Sequence, residues 1–147
     1  MTREESGPML SPGYWLYRAA LTWRSRMEAS LSPLGLTYTQ FMLLAATGWL
    51  EHIGGPPTQQ RVADEAGVDR QMTSRVIRTL QERGLVARDA HETHGRALRL
   101  SLTEAGRTLT GQAVEIVRGL DEQVFGADPA TLRAELRAIA ELPPPPE

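Results

Sequence analysis

Residues 58–89 constrain the fold more than any other part of the chain, because they form the pattern of two short helices joined by one glycine. Thr58 is a favourable N-cap residue, and Gly67 is typical of the position just after a helix. Asp69 can cap a second helix, which Gly84 ends. Two capped helices separated by a tight glycine turn are typical of a helix-turn-helix.

The second of these helices, predicted over Arg70–Arg83, has an apolar face and a polar face. Its apolar residues recur with helical spacing and predict the side that packs inward. Arginine suits the edge of guanine and glutamine that of adenine, so the polar side fits a recognition helix in a DNA major groove. The alternative is a plain solvated helix face. The candidate DNA contacts are Arg70, Gln71, Met72, Ser74, Arg75 and Arg78.

A hairpin is predicted directly after this helix. The stretches "LVARD" and "RALRLSL" have strand character, and Leu98, Leu100 and Leu102 alternate with polar residues. The polar segment "AHETHG" would join the two strands as a wing. Thr103 can then cap a long amphipathic helix, and Asp128-Pro129 can open a shorter one.

Two further helices are predicted before the helix-turn-helix. Ser11 and Pro12 open an amphipathic helix, and Thr37 with Gln40 forms a capping box before a helix that is apolar on nearly all sides. The predicted fold is therefore mainly α with a small β-hairpin. We expect a disordered segment at 1–10, one domain at 11–142 with a core at 37–103 and flanking helices at 11–34 and 104–142, and a proline-rich disordered tail at 143–147.

The composition excludes several classes of site. The chain has no Cys, so disulfides and thiolate metal sites are excluded. Its net charge is -2, but residues 59–107 hold nine Arg against seven acidic residues, a weak sign of a phosphate-facing region. The most apolar run, Phe41–Leu50, is too short to span a bilayer, and no leader peptide is evident. We therefore expect a cytoplasmic protein without a membrane partner.

An enzyme is the less favoured reading. His91 and His94 lie three residues apart near Asp89 and Glu92, which raises the alternative of a metal site. The pair lies on a predicted hairpin tip without a third strong ligand, and no nucleophile elbow or phosphate-cradling glycine loop is present. The sequence thus predicts no catalytic residue, no metal and no cofactor.

Three segments together resemble the MarR (multiple antibiotic resistance regulator) family. They read "LTYTQFMLLAATGWL", "VADEAGVDRQMTSRVIRTLQERGLVAR" and "GRALRLSLTEAG", and the likeness runs from about Ser11 to Phe125. The resemblance implies a winged helix-turn-helix, with the N-terminal and C-terminal helices building a homodimer. It also implies a repressor that binds a pseudo-palindromic operator in double-stranded DNA and is released by a small ligand.

The same resemblance assigns a DNA contact to the wing through His94, Gly95 and Arg96. The family usually has Asp two residues before the wing arginine, and His94 stands there in this chain. A histidine gains charge as the pH falls below about 7, so duplex affinity is expected to rise between roughly pH 8 and pH 6.

The resemblance also implies an effector pocket between the dimerisation helices and the winged domain. Its aromatic or soft side chains would come from Trp15, Trp23, Tyr38, Met42 and Trp49, although ordinary core is the favoured alternative for each. With Arg24 and Arg26 nearby, a planar aromatic or phenolic compound, anionic or neutral, is the expected ligand. The alternative function is a winged-helix module that contacts only proteins and does not bind DNA.

Overall fold

A computed structural model of the chain describes residues 7–90 and 98–147. These residues form six α-helices and one antiparallel hairpin, which confirms the predicted fold class. The elements in chain order are α1 (Pro12–Leu31), α2 (Tyr38–Gly54), α3 (Gln59–Ala66), α4 (Arg70–Glu82), β1 (Val86–Ala90), β2 (Leu98–Leu102), α5 (Glu104–Phe125) and α6 (Ala130–Ala140).

The predicted helix caps are present. Side-chain oxygens of Ser11, Thr58, Asp69 and Thr103 each accept a hydrogen bond from a backbone N–H in the first turn of the following helix. Thr37 forms the full capping box with Gln40, with 3.1 Å between donor and acceptor in both directions. Each cap satisfies a backbone N–H that the helix itself leaves unpaired, so the starts of α1 to α5 agree with the sequence to the residue. The last helix differs, because Pro129 is its N-cap residue and no side chain caps it.

One hydrophobic core joins all elements except α6. The side chains of Leu43 and Leu44 on α2 are fully buried at its centre. The other elements pack around them through Leu31 of α1, Val62 of α3, Ile77 and Leu80 of α4, Val86 of β1, Leu100 of β2 and Ala113 of α5. Because α2 contributes the central residues, it sets how the hairpin and the two long helices α1 and α5 meet.

The prediction that α2 is buried on nearly all sides is wrong for one stripe. Trp49 and Ile53 are 55% and 54% exposed. They follow Tyr38 and Met42 on one face, because these residues recur at steps of about three and a half residues along the helix. The other faces of α2 meet the core, whereas this stripe has no full cover in the single chain.

The two ends of the chain extend beyond the core. No residue of α6 is buried. We expected residues 1–10 to be disordered, but Gly7–Leu10 form a 3₁₀ turn, and the Trp15 indole N–H donates to the Met9 carbonyl in this turn at 2.9 Å. Residues 1–6 lie outside the described part, and residues 142–147 contain no helix or strand. In the described residues, no helix combines the length and apolarity that a membrane crossing requires.

Candidate nucleic-acid interface

The turn between α3 and α4 fixes the geometry of the helix pair. Gly67 adopts a left-handed conformation with φ of 67°, and its N–H donates to carbonyls in the last turn of α3. Two residues later the Asp69 carboxylate accepts the N–H of Met72 at 2.8 Å and starts α4. A residue with a Cβ would be strained at this φ, so glycine is required for the helix-turn-helix bend.

The two faces of α4 separate as the sequence predicts. Thr73, Ile77 and Leu80 are buried against the core. On the opposite side, four predicted contact residues are exposed, Met72 is 37% exposed, and Ser74 is half-buried. The exposed four are Arg70, Gln71, Arg75 and Arg78.

The outer face of α4 is cationic. Among the described residues, no carboxylate lies within salt-bridge distance of Arg70, Arg75 or Arg78. Arg70 also lines a shallow cavity of about 150 Å³ together with Gln59 and Gln60 at the start of α3. Three guanidinium groups and several amide donors therefore face outward from one side of the helix pair, where they can meet an anionic surface.

The hairpin is attached beside this face. β1 and β2 pair antiparallel, with Val86 opposite Leu102 and Ala90 opposite Leu98. On the outer edge of β2, the N–H of Leu100 donates to the Pro57 carbonyl at 2.8 Å. An isolated antiparallel bridge between Thr58 and Arg99 accompanies this bond, and the two contacts fix the hairpin to the helix pair.

Two arginines near the base of the hairpin bind the protein itself. The Arg88 Nη2 donates to Gln59 Oε1 at 2.8 Å, and the Arg99 Nη1 donates to the Pro56 carbonyl at 3.2 Å. These contacts orient the hairpin against the start of α3. The predicted wing contacts His94, Gly95 and Arg96 lie outside the described residues.

The metal alternative at His91 and His94 also falls outside the described residues. Within residues 7–90 and 98–147, no group of three or more His, Asp or Glu side chains could hold a metal ion.

The predicted effector residues fall into two clusters. Trp15 and Trp23 line a cavity of about 420 Å³ between α1 and the end of α5, where Trp23 lies 5.4 Å from the Phe125 ring. Tyr38 and Met42 are half-buried and pack against the core, at the start of the α2 stripe that ends in exposed Trp49 and Ile53.

The second cluster carries a cation. The Arg24 guanidinium of α1 lies 5.3 Å from the centre of the Tyr38 ring, a cation–π contact. Trp49 continues the same stripe, with its ring 6.1 Å from that of His52. The chain alone therefore brings together Trp15 with Trp23, and separately Tyr38 with Met42, while Trp49 lies further along α2.

Large apolar side chains are exposed on three helices. They form a surface that runs from α1 across the end of α5 to α6, and the sequence predicts this surface as the dimer contact. Its members are Trp15, Leu16, Tyr17, Leu21, Val124, Phe125, Leu132, Leu136 and Ile139, each at least 37% exposed.

A carboxyl lies in the elbow between α5 and α6. Asp121 lines a cavity of about 200 Å³ with apolar neighbours that include Phe125 and Leu132. Burial raises the pKa of Asp121 above its ordinary value of 3.8, and the charge of Arg133 offsets part of that rise.

Two polar contacts that link distant elements were not predicted from the sequence. Glu51, near the end of α2, accepts a hydrogen bond from the Arg107 guanidinium in the first turn of α5. A second missed contact is the bond from the Arg83 Nη1 to the Gly35 carbonyl at 2.9 Å, which joins the end of α4 to the turn after α1. Neither pair has a signal in the sequence, because their members are 56 and 48 residues apart.

The chain is similar to regulators of known type. A family model described as the MarR family matches residues 34–97. The HTH-type transcriptional regulator YdcH of Bacillus subtilis is 34% identical over 122 residues, which cover 83% of this chain and 83% of that protein.

Two solved structures are similar over most of their length. The MarR family protein Rv2887 of Mycobacterium tuberculosis, in complex with p-aminosalicylic acid, is 33% identical, with a TM-score of 0.65 over 89% of this chain and 96% of that one. The repressor CouR of Rhodococcus jostii, bound to a 23-mer DNA duplex, is 26% identical, with a TM-score of 0.76 over 89% and 93%.

Proposed function

The chain belongs to the MarR family of transcriptional regulators, and we propose that it is a homodimeric repressor. In this proposal α4 reads a pseudo-palindromic DNA operator, and a small aromatic acid releases the protein from that operator. The outer face of α4 is the main support for this proposal. It exposes Arg70, Gln71, Arg75 and Arg78, while the opposite face of the same helix is buried in the core.

The chemistry of this face fits a DNA major groove. Arg75 and Gln71 can reach base edges, since arginine pairs with guanine and glutamine with adenine in bidentate geometry. Arg70 and Arg78, nearer the ends of the exposed side, suit phosphate oxygens. In the same groove, Met72 can make an apolar contact with a base and Ser74 can make a hydrogen bond through its hydroxyl. The hairpin beside α4 is the wing, and we assign its tip, with Arg96, to the DNA backbone or minor groove.

The dimer is supported by the apolar surface on α1, α5 and α6. Exposed apolar area of this extent is rare on a monomer and is typical of a contact surface. Because no residue of α6 is buried in the single chain, its stripe of Leu132, Leu136 and Ile139 is available to a second copy. A two-fold dimer would present two α4 helices to half-sites about 10 base pairs apart.

The effector is proposed to bind along the α2 stripe beside Arg24. The cavity with Trp15 and Trp23 belongs to the apolar surface that we assign to the dimer, so the Tyr38–Met42 cluster is the better place for a ligand. There the Arg24 guanidinium can bind a carboxylate, and the aromatic and thioether side chains can bind a planar ring. The complex of Rv2887 with p-aminosalicylic acid supports this class of ligand.

The proposal includes no catalytic step. Because a repressor acts on the chromosome, we place the protein in the cytoplasm. The domain boundaries follow the same reasoning, with a winged unit over 37–103 and dimerisation helices over 11–34 and 104–142.

The salt dependence of DNA binding tests the proposal against a protein-contact module of the same fold. Fluorescence anisotropy with a labelled random-sequence duplex would give the binding constant between about 50 and 200 mM salt, a range over which six to ten phosphate contacts cost 10³–10⁵ in affinity. We expect a steep fall with salt, and light scattering should give the mass of a dimer at micromolar concentration. Absence of salt-dependent binding would favour the protein-contact module.

A further inference from the structure

The end of the second wing strand is held by a side chain from α2. β2 pairs with β1 on one edge, and on its other edge the N–H of Leu100 already donates to the Pro57 carbonyl. The next outward N–H along that edge belongs to Leu102, and it donates to Glu51 Oε2 at 3.1 Å. The Glu51 carboxylate therefore takes the place of a strand carbonyl at the last residue of β2.

The other oxygen of the same carboxylate binds the helix that follows. The Arg107 guanidinium, one turn into α5, donates to Glu51 Oε1. The Glu51 side chain is only 15% exposed, whereas the other two ion pairs among the described residues join exposed side chains three or four residues apart. One partly buried carboxylate thus joins α2, the end of β2 and the start of α5.

We propose that Glu51 is a positioning residue for DNA binding, because its carboxylate holds the wing strand and the long helix α5 in one relative orientation. The inference rests on the proposed function, in which the hairpin contacts DNA and α5 belongs to the dimer. Glu51 acts through Leu102 and Arg107. Any movement of α5 against α2 displaces the Arg107 partner of this carboxylate, so the same group couples the dimerisation helices to the wing.

The sign of the expected effect separates this role from simple electrostatics. A carboxylate repels phosphate, so the loss of an acidic residue on its own raises the affinity of a protein for any duplex. If Glu51 positions the wing, its removal has the opposite effect, since the hairpin no longer meets the backbone in the right place.

The test compares E51A and E51Q with E65A as the matched control. Glu65 is an exposed acidic residue on α3, so E65A removes the same charge. E51A removes both hydrogen bonds, while the amide oxygen of E51Q can still accept the Leu102 N–H. With a labelled random-sequence duplex, we expect E51A to bind about tenfold more weakly, E51Q to lie between E51A and the wild type, and E65A to bind as well as the wild type or better.

The salt slope distinguishes lost positioning from lost stability. A partly unfolded preparation binds less but keeps the slope, whereas a wing that no longer contacts phosphate lowers the slope by about 1 per protomer. The E51A slope is expected to fall, and the E65A slope is expected to keep its wild-type value. If E51A does not fold, as judged by circular dichroism, the affinities and salt slopes of E51Q and E65A are compared instead.

Amide exchange tests the contact without DNA. The Leu102 amide, followed by NMR, should exchange about 10- to 100-fold faster in E51A, in line with the loss of a hydrogen bond to a charged group, and should keep most of its protection in E51Q. Wild-type protection of Leu102 in E51A, or an E51A that matches E65A in affinity and salt slope, overturns the inference alone. A wild-type chain without salt-dependent duplex binding overturns the proposed function and this inference together.

Discussion

Gly106, in the first turn of α5, should be intolerant of even one added methyl group. A Cβ at this position would lie 2.0 Å from the Leu85 carbonyl oxygen and 3.0 Å from its carbon. Carbon–oxygen contacts in proteins rarely come closer than about 3.3 Å, so the start of α5 would have to move by more than an ångström. Gly111, one and a half turns further along, meets nothing within 4 Å and provides the matched control.

The magnitude for Gly106→Ala follows from the bonds that such a movement disturbs. The Thr103 N–H donates to the Leu85 carbonyl at 3.1 Å, and the Thr103 hydroxyl donates to the Gly84 carbonyl at 2.6 Å. Overpacking costs about 1–3 kcal/mol, and each weakened hydrogen bond costs about 1 kcal/mol. The better helix propensity of alanine returns about 1 kcal/mol. We therefore expect Gly106→Ala to lower the free energy of unfolding by about 2–4 kcal/mol.

Gly111→Ala should have the opposite sign, with a gain of about 0.5–1 kcal/mol, since it adds helix propensity in open space. Urea unfolding at a fixed protein concentration, followed by circular dichroism, measures both variants on the same scale. If Gly106→Ala were neutral or stabilising, the close approach of α5 to the α4–β1 turn would be refuted, together with the fixed wing root that depends on it.

Three further predictions concern recognition, ligand binding and pH. Arg75→Ala should cost about 1–3 kcal/mol per half-site on a selected genomic fragment and relax base preference, with little effect on random duplex; equal loss on both would make Arg75 a phosphate contact. Arg24→Ala should weaken salicylate binding about tenfold, seen as a smaller thermal shift, while Arg26→Ala, at the cavity with Trp15, should not; the reverse pattern would move the effector into that cavity. The pKa of Asp121 is raised above 3.8 in the folded state, so the folded state binds more protons than the unfolded state and its stability should fall as pH rises above that value. Asp121→Asn should flatten this pH dependence in urea titrations. Parallel curves of stability against pH for the two proteins would contradict the prediction.

The starts and caps of α1 to α5 could be predicted because their causes are local. Thr37, Asp69 and Thr103 each satisfy an N–H group three residues away, and Gly67 needs only its own φ. The outward face of α4 was also predictable, because a 3.6-residue period separates buried Ile77 from exposed Arg75 without any knowledge of the partner elements.

The rest depends on which elements come together. An apolar helix such as α2 does not reveal which of its faces will lack a neighbour, so the exposure of Trp49 and Ile53 was missed. Gly106 was predicted only as part of a helix start, since its contact with Leu85 arises from tertiary packing. Glu51 carries no pattern at all, because its importance comes from Leu102 and Arg107, both more than 50 residues away.

A footprint on DNA tests most directly whether two α4 helices of a dimer read a two-fold operator. Genomic fragments retained by the purified protein would be sequenced, and the best-retained fragment would be probed by hydroxyl-radical cleavage. We expect a pseudo-palindromic protected site with two half-sites about 10 base pairs apart. Arg75→Ala should no longer discriminate between this fragment and random DNA. Uniform cleavage along every retained fragment, or a single unrepeated half-site, would contradict it.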